Sequence, residues 1–435
     1  MKRNLILVTC HDLGRFLGIY ERDIETLELD ALGEEGVVFD NNFATAPQCS
    51  PSRGSIMTGK YPHNNGLMGL AHEGYGWELN SSEKTLPNYL NEAGYETHLF
   101  GLQHESQDPE SLGYQHVHGE GSGEQRAGLT TERLLSFLDD RVQKEIDGPF
   151  FASVGFFEPH RPYGLKEYDN VDPVEVTLPP FLPDRDGIRE DLAGLYGMIY
   201  RVDESIGRIM DDLSETGLAR ETLVIFTVDH GIAMPRAKGT CYDPGVGVAQ
   251  IMRGPDDFSG GQRYGELLSN VDLLPTVLDY FGIDVPEGLD GRSFYPLVKG
   301  DRSYEARDHV FFEITWHDKY NPIRAIRTED YKYIKNFVEE PAVYLPADIY
   351  DSPSGREVRD SYYNSHRPSE ELYDLNSDPL ELDNLTEKPE MREIKEELAD
   401  RLQGWMERTD DPLLNGPVPP TEEQRRTLKK DQFDN

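Results

Sequence analysis

Two apolar runs far apart in the chain break off in the same kind of polar stop. Asn4-Leu5-Ile6-Leu7-Val8-Thr9-Cys10 ends at His11-Asp12-Leu13-Gly14, and Thr222–Val228 ends at Asp229-His230-Gly231. Short runs that stay apolar, without alternation, fit strands buried on both faces, as in a parallel sheet covered by helices. Tyr95–Phe100 and Pro149–Phe156 repeat the pattern, and helical stretches are expected at Glu83–Ala93, Thr130–Lys144 and Arg189–Thr216. Alternation of this kind through about residue 300 predicts an α/β fold, a large mixed and mainly parallel sheet sandwiched by helices. Beyond residue 305 the pattern changes. Asp308–Ile314, Arg324–Ile326 and Tyr331–Phe337 read as a smaller antiparallel sheet, and Pro389–Glu407 as an amphipathic helix with Ile394, Leu398, Leu402 and Trp405 near helical spacing. With 435 residues, the chain exceeds the roughly 300 that one core accommodates. Two units are therefore expected: a catalytic domain over 1–304, and a C-terminal subdomain over 305–435 with antiparallel sheet, helix and a wrapping or loose tail after Asp410.

Groups at the carboxyl ends of parallel strands line a shared crevice. His11-Asp12 and Asp229-His230 are therefore expected to meet there as a divalent metal site. Between them in sequence stands Cys49-Ser50-Pro51-Ser52-Arg53. Pro51 suits the first turn of a helix, which would set Cys49 where free N–H groups and the helix dipole favour an anion. Arg53, one turn on, can reach back to the same spot.

This pentapeptide resembles the signature of the sulfatase family, formylglycine-dependent enzymes of the alkaline phosphatase superfamily, in which the Cys is oxidised to an aldehyde. His104 resembles the His of the family's Gly-Lys-x-His segment, and Glu158-Pro159-His160-Arg161-Pro162 its Pro-His loop. Lys238 falls near the family's sulfate-binding Lys. Thr58–Gly66 resembles the second signature, Val271–Thr276 the late helix, Leu289–Ser293 the segment closing the large domain, and Glu371–Pro379 the C-terminal hairpin. Gly66 through Gly69-Leu70 and the short C-terminal region look most like the heparan N-sulfatase subgroup and its microbial relatives.

The resemblance implies a sulfuric ester hydrolase that acts on a sulfated sugar or small sulfate ester, N-sulfoglucosamine by subgroup. It implies Cys49, Arg53, His104, His160 and Lys238 as catalytic residues. Cys49 as formylglycine would attack sulfur with help from Asp229 and the metal, His160 or Lys238 would aid the leaving group, and His104 would act in release of sulfate. It implies one divalent metal, Ca²⁺ by family, on His11, Asp12, Cys49, Asp229 and His230, and a formylglycine-generating enzyme as maturation partner.

Three departures alter that expectation. His11-Asp12 stands where the family has paired aspartates, Asp229-His230 where it has Asp-Asn, and Leu102 replaces the Lys of Gly-Lys-x-His. Two imidazoles in place of oxygen donors make Mn²⁺ or Zn²⁺ plausible beside Ca²⁺. His230 and Leu102 also keep open a phosphonate monoester hydrolase or phosphodiesterase of the same superfamily. An unmodified Cys49 would instead leave a non-catalytic anion- or sugar-binding relative.

Charge bears on the setting. Asp and Glu number 81 against 43 Lys and Arg, for a formal net charge of −38. Such a surface repels itself in dilute buffer and is tolerated where salt screens it, so a salt-adapted cytoplasm is the expected home. Nucleic acid and anionic membrane surfaces need positive patches and are not expected partners. Three cysteines, Cys10, Cys49 and Cys241, are too few and too odd in number for a disulfide framework. The chain passes from Met1-Lys2-Arg3 straight into its first strand, without an expected export segment, and no run approaches the roughly 18 apolar residues of a membrane helix.

Overall fold

The computed structural model describes residues 3–119 and 125–431. Met1, Lys2 and the last four residues of the tail lie outside that description. The large sheet has eight strands: β1 (Asn4–Cys10), β2 (Val37–Phe39), β3 (Glu96–Gly101), β4 (His116–His118), β5 (Phe150–Gly155), β6 (Thr222–Val228), β7 (Gln250–Arg253) and β8 (Gln262–Tyr264). They lie in the order β4-β3-β5-β1-β6-β7-β2-β8. Only β7 runs against its neighbours. Strand β1 shows why the apolar runs do not alternate. Ile6 and Val8 enter one core with Ile199, Val202 and Ile206, while Leu5 and Leu7 enter another with Ile56, Leu86 and Leu274. Both faces are covered, so both parities are apolar.

Helix α1 (Cys49–Thr58) is buried along its whole length. Helices α2 (Ala127–Gln143) and α3 (Asp186–Thr216) supply much of the first core. The expected starts at Thr130 and Arg189 fall one turn late, because capping comes from distant groups. The backbone N–H of Ala127, for example, donates to Glu158 Oε2 at 2.8 Å.

The second sheet is antiparallel throughout: β9 (Val310–Trp316), β10 (Tyr320–Arg327), β11 (Tyr331–Asn336) and β12 (Glu370–Asp374). Here alternation is clean. Phe312, Ile314 and Ala325 face Phe43 and Val246 of the large unit, while Phe311, Ile326 and Leu372 face helix α5 (Arg392–Arg408) through Leu398, Leu402 and Trp405. The Phe311 and Trp405 rings stack at 4.6 Å. Helix α4 (Pro353–Tyr363), from the C-terminal part of the chain, packs into the large unit, where Val358 joins the first core. The tail wraps rather than hanging loose as far as it is described: Trp316 Nε1 donates to the Val418 carbonyl at 3.0 Å and Trp77 Nε1 to Gln424 Oε1 at 2.7 Å. Among the described residues no helix is long and apolar enough to cross a membrane.

Candidate active site

Register builds the site. Strands β1 and β6 pair in parallel with Cys10 opposite Val228, so His11-Asp12 and Asp229-His230 leave the sheet side by side. On the other flank Thr9 pairs with Gly155 of β5, and Gly155 with Gly101 of β3. The loops that carry His160 and His104 therefore open onto the same crevice. Two glycines make the crowding possible. Gly14 has φ +58°, and a Cβ there would sit 3.2 Å from Gly231 Cα; one on Gly155 would sit 1.8 Å from the Leu102 carbonyl oxygen.

Helix α1 is pinned with its N-terminus in that crevice. Asn270 Nδ2 donates to Ser52 Oγ at 2.8 Å, Ser52 Oγ donates to the Asp229 carbonyl, and the Ala71 N–H donates to Ser50 Oγ at 3.0 Å. Cys49, the first helical residue, brings Sγ to 3.4 Å from His230 Nε2. His230 Nδ1 donates to the Gly231 carbonyl at 2.9 Å, which aims Nε2 inward, toward Asp12 Oδ1 at 3.0 Å. His11 Nδ1 lies 2.8 Å from Asp229 Oδ2. His11, Asp12, Cys49, Asp229 and His230 thus form one buried group with a ligand atom from each within 4.8 Å of the others. His11 Nε2 has no hydrogen-bond partner despite this crowding. A donor atom from each of five residues converging on one buried point fits a cation at their centre, which would take the place of the His11–Asp229 and His230–Asp12 pairings.

Cations and neutral imidazoles ring this centre. Arg53 Nε donates to Asp229 Oδ2 at 3.0 Å, and its buried Nη2 has no partner. Lys238 Nζ donates to Asp12 Oδ2 at 3.0 Å and to Asp348 Oδ2 at 2.8 Å. His160 Nδ1 donates to the Arg161 carbonyl at 2.7 Å, leaving Nε2 3.9 Å from Asp12 Oδ2. The His104 ring lies 4.7 Å from that of His11. Burial drives His104 down to about 3, so it is neutral. Burial pushes the Cys49 thiol up, but Lys238, His11 and His230 outweigh it and hold Cys49 well below the usual thiol range. Burial also opposes charge on His11, yet Asp229 lifts it to about 10.

All nine residues singled out from sequence meet here. Arg161, next to His160 in the Pro-His loop, does not join them: its guanidinium donates to Asp191 Oδ2 at 2.7 Å and Ser354 Oγ at 3.0 Å, tying α3 to α4. Leu102, in place of the expected Lys, is buried at 3% exposure, and positive charge comes from Lys238 instead. Asp348 escaped sequence reading because it lies 110 residues beyond Lys238 in a stretch without a motif. Glu105, whose Oε2 accepts the His104 backbone N–H at 2.7 Å, and His72, whose ring lies 5.6 Å from that of His104, were also missed. Adjacency to His104 is the one signal that could have raised Glu105.

Comparison with known proteins agrees with this geometry. Residues 3–283 match the family model described as Sulfatase, and residues 236–367 match one described as N-sulphoglucosamine sulphohydrolase, C-terminal. The chain is 29% identical to N-sulphoglucosamine sulphohydrolase of Homo sapiens, over 95% of this chain and 92% of that protein. It is 28% identical to an ulvan-active sulfatase of Formosa agariphila, over 93% of this chain and 74% of that one. In fold it is similar to a solved structure in complex with its substrate D-glucosamine-2-N,6-O-disulfate, with a TM-score of 0.74 at 20% identity, covering 96% of this chain and 99% of that one. A 2-O GAG sulfatase superposes with a TM-score of 0.73 at 21% identity, covering 98% and 96%. The Sulfatase match spans well over half of the chain and contains the whole five-residue ligand group, so this protein belongs to the sulfatase family of sulfuric ester hydrolases.

Proposed function

We propose that the protein releases sulfate from a sulfated saccharide, N-sulfoglucosamine first among candidates, with Cys49 matured to formylglycine by a formylglycine-generating enzyme. The observation that carries this reading is the position of Cys49 at the N-terminus of a fully buried helix, within the ligand group and under the positive charge of Lys238. Formylglycine supplies a hydroxyl nucleophile in place of a thiol, and a divalent ion supplies Lewis-acid polarisation of that hydroxyl and of a sulfate oxygen. His11 and His230 bring nitrogen donors to the ion, which favours Mn²⁺ or Zn²⁺ over Ca²⁺.

The chain's own groups divide the remaining work. Arg53 is fixed by Asp229 and keeps a buried, unpartnered Nη2 available to an anion. Lys238 holds a proton in the site, since Asp12 and Asp348 outweigh burial and raise it well above the usual lysine value. His160 offers an unprotonated Nε2 to a hydroxyl or N–H of the sugar. His104 is neutral and its side chain hydrogen-bonds that of Cys49, so it is placed to take a proton from the residue at position 49.

The test has two parts: the mass of the peptide containing position 49 in enzyme purified from its host, and parallel assays on N-sulfoglucosamine, glucosamine 6-sulfate and a phosphate diester. Loss of sulfur and gain of oxygen at position 49, with fastest turnover of N-sulfoglucosamine, is the expected result. An active enzyme with intact Cys49 would overturn the nucleophile, and faster turnover of the diester would overturn the substrate class.

A further inference from the structure

The edge strand β4 is three residues long and carries a histidine at each end. Its parallel register sets His116 beside His98 and His118 beside Phe100 of β3. Three imidazoles therefore share one face of the sheet. The His98 and His116 rings lie 4.6 Å apart, and those of His98 and His118 5.4 Å apart. Glu96, two residues before His98, points to the same face. Its Oε1 lies 3.1 Å from His116 Nε2 and 3.6 Å from His98 Nε2. A tetrahedral ion with bonds of about 2.0–2.1 Å holds neighbouring ligand atoms about 3.4 Å apart. The two measured separations bracket that value.

The nitrogen of His98 separates a metal site from a ring stack. His98 is 3% exposed, and its Nε2 has no hydrogen-bond partner. Nδ1 lies 3.1 Å from His118 Nε2, and with the shared proton on Nδ1 the lone pair of Nε2 points at Glu96 and His116. Burial, with His116 and His118 against the pull of Glu96, holds His98 at about 4, which keeps it neutral. Glu96 Oε2 accepts from Arg141 Nη1 at 2.8 Å. That leaves Oε1 to the two histidines and fixes its direction, the kind of outer support that metal ligands carry. The side chains of His116 and Glu96 are 48% and 40% exposed, so water can reach the fourth position.

We propose that Glu96 Oε1, His98 Nε2 and His116 Nε2 bind one divalent transition-metal ion, Zn²⁺ by donor type, separate from the active centre. The active-centre residue His104 leaves the opposite, C-terminal end of β3. The ion fastens β4 to β3. A three-residue edge strand has few ladder bonds of its own, so its hold on the sheet depends on side chains.

Zn²⁺ titration of metal-stripped protein by calorimetry tests this, with sulfatase activity after reloading as the check on folding. Wild type should take up two equivalents, His116→Gln one, and Asp12→Asn one, with the event lost in each variant being the one the other keeps. His116→Gln should retain sulfatase activity while losing the part of the Zn²⁺-induced rise in Tm that survives in Asp12→Asn. Because His98 is buried, Glu96→Gln, at a half-buried side chain, serves as the second variant and should behave as His116→Gln does. Unchanged stoichiometry and affinity in both His116→Gln and Glu96→Gln would overturn the proposal and leave a stack of rings. Loss of both equivalents in Asp12→Asn would overturn it as well.

Discussion

Lys238 stands between two carboxylates, 3.0 Å from Asp12 and 2.8 Å from Asp348, so an incoming sulfate meets a cation already partly neutralised. Lys238→Ala should raise KM and lower kcat, several tens-fold in kcat/KM for a contact worth about 2–4 kcal/mol in the transition state. Asp348→Asn should act in the opposite sense on binding, lowering KM for an anionic substrate by removing one counter-charge. A kinetically silent Lys238→Ala would hand the anion to Arg53 and the metal alone. Cys49→Ala removes the nucleophile but deletes only a sulfur from a helix held by Ser50, Ser52 and Arg53. Turnover should fall by on the order of 10⁴-fold or more while the circular dichroism spectrum stays that of the parent. The metal ligands give a pH dependence of definite sign. In the absence of the ion, His11 is lifted to about 10 and His230 also lies well above the usual histidine value, both through Asp229 against the cost of burial. Both imidazoles must shed a proton to coordinate. Affinity for Mn²⁺ or Zn²⁺ should therefore keep rising with pH through and beyond neutrality, rather than levelling off above the 6.5 of a free imidazole. Calorimetry in buffers of different ionisation enthalpy should count close to two protons released at pH 7; none released would mean that the histidines do not coordinate.

Secondary elements that bury both faces or one whole stripe were legible in the sequence. Strand β6 has the bounds its apolar run predicts, and α5 begins and ends within a few residues of its expected span because Leu398, Leu402 and Trp405 must all reach the second sheet. Strands β2, β4, β7 and β8 were not legible: at three or four residues they are too short for any period to show. At the active site, residues at strand ends could be read because the chemistry follows directly on an apolar run. Asp348 could not, since its role depends on how α4 and the segment before it fold back over the large unit. The same distant packing makes one ion pair decisive for the C-terminal elements. Arg324, on β10, and Asp411, just past α5, are both fully buried; Arg324 Nε and Nη2 donate to the carboxylate at 2.5 and 3.0 Å, and Nη1 donates to the Ile314 and Ile323 carbonyls. Asp411→Ala strands a buried guanidinium and should cost about 3–5 kcal/mol, read as a lower denaturation midpoint. The double variant Arg324→Met with Asp411→Leu should recover most of the loss, because an apolar pair avoids the desolvation that a lone charge cannot. A single-variant cost below about 1 kcal/mol would mean that water reaches the pair.

At the scale of the molecule, the net charge of −38 is a term that local contacts do not remove. The site itself is ringed by compensating cations, with Arg53 and Lys238 each inside a carboxylate shell, so the excess lies mainly on the surface. Many of the acidic side chains there have an Arg or Lys within reach, as in Asp184 with Arg189 and Glu396 with Arg392. Exposed pairs of that kind contribute at most about 1 kcal/mol each, and 43 cations cannot match 81 anions. Unpaired like charges closer than the screening length repel, and that length shrinks from about 30 Å at 0.01 M salt to about 3 Å at 1 M. Across a molecule of this size the longer value joins charges on opposite faces, whereas the shorter one confines each charge to its nearest neighbours. Raising KCl from 0.01 M to 1 M should therefore raise Tm by several degrees, with most of the gain in the lower part of the range. KCl, as a salt of weak Hofmeister effect, keeps the comparison one of screening. The same salt should weaken any attraction of the sulfate to Arg53 and Lys238 far less, since buried charges are little screened. KM should therefore stay nearly constant while Tm climbs. A Tm that is flat or falls over that range would mean that the acidic surface is already neutralised by bound cations, and a KM that rises in step with salt would mean that the substrate is held mainly at the rim.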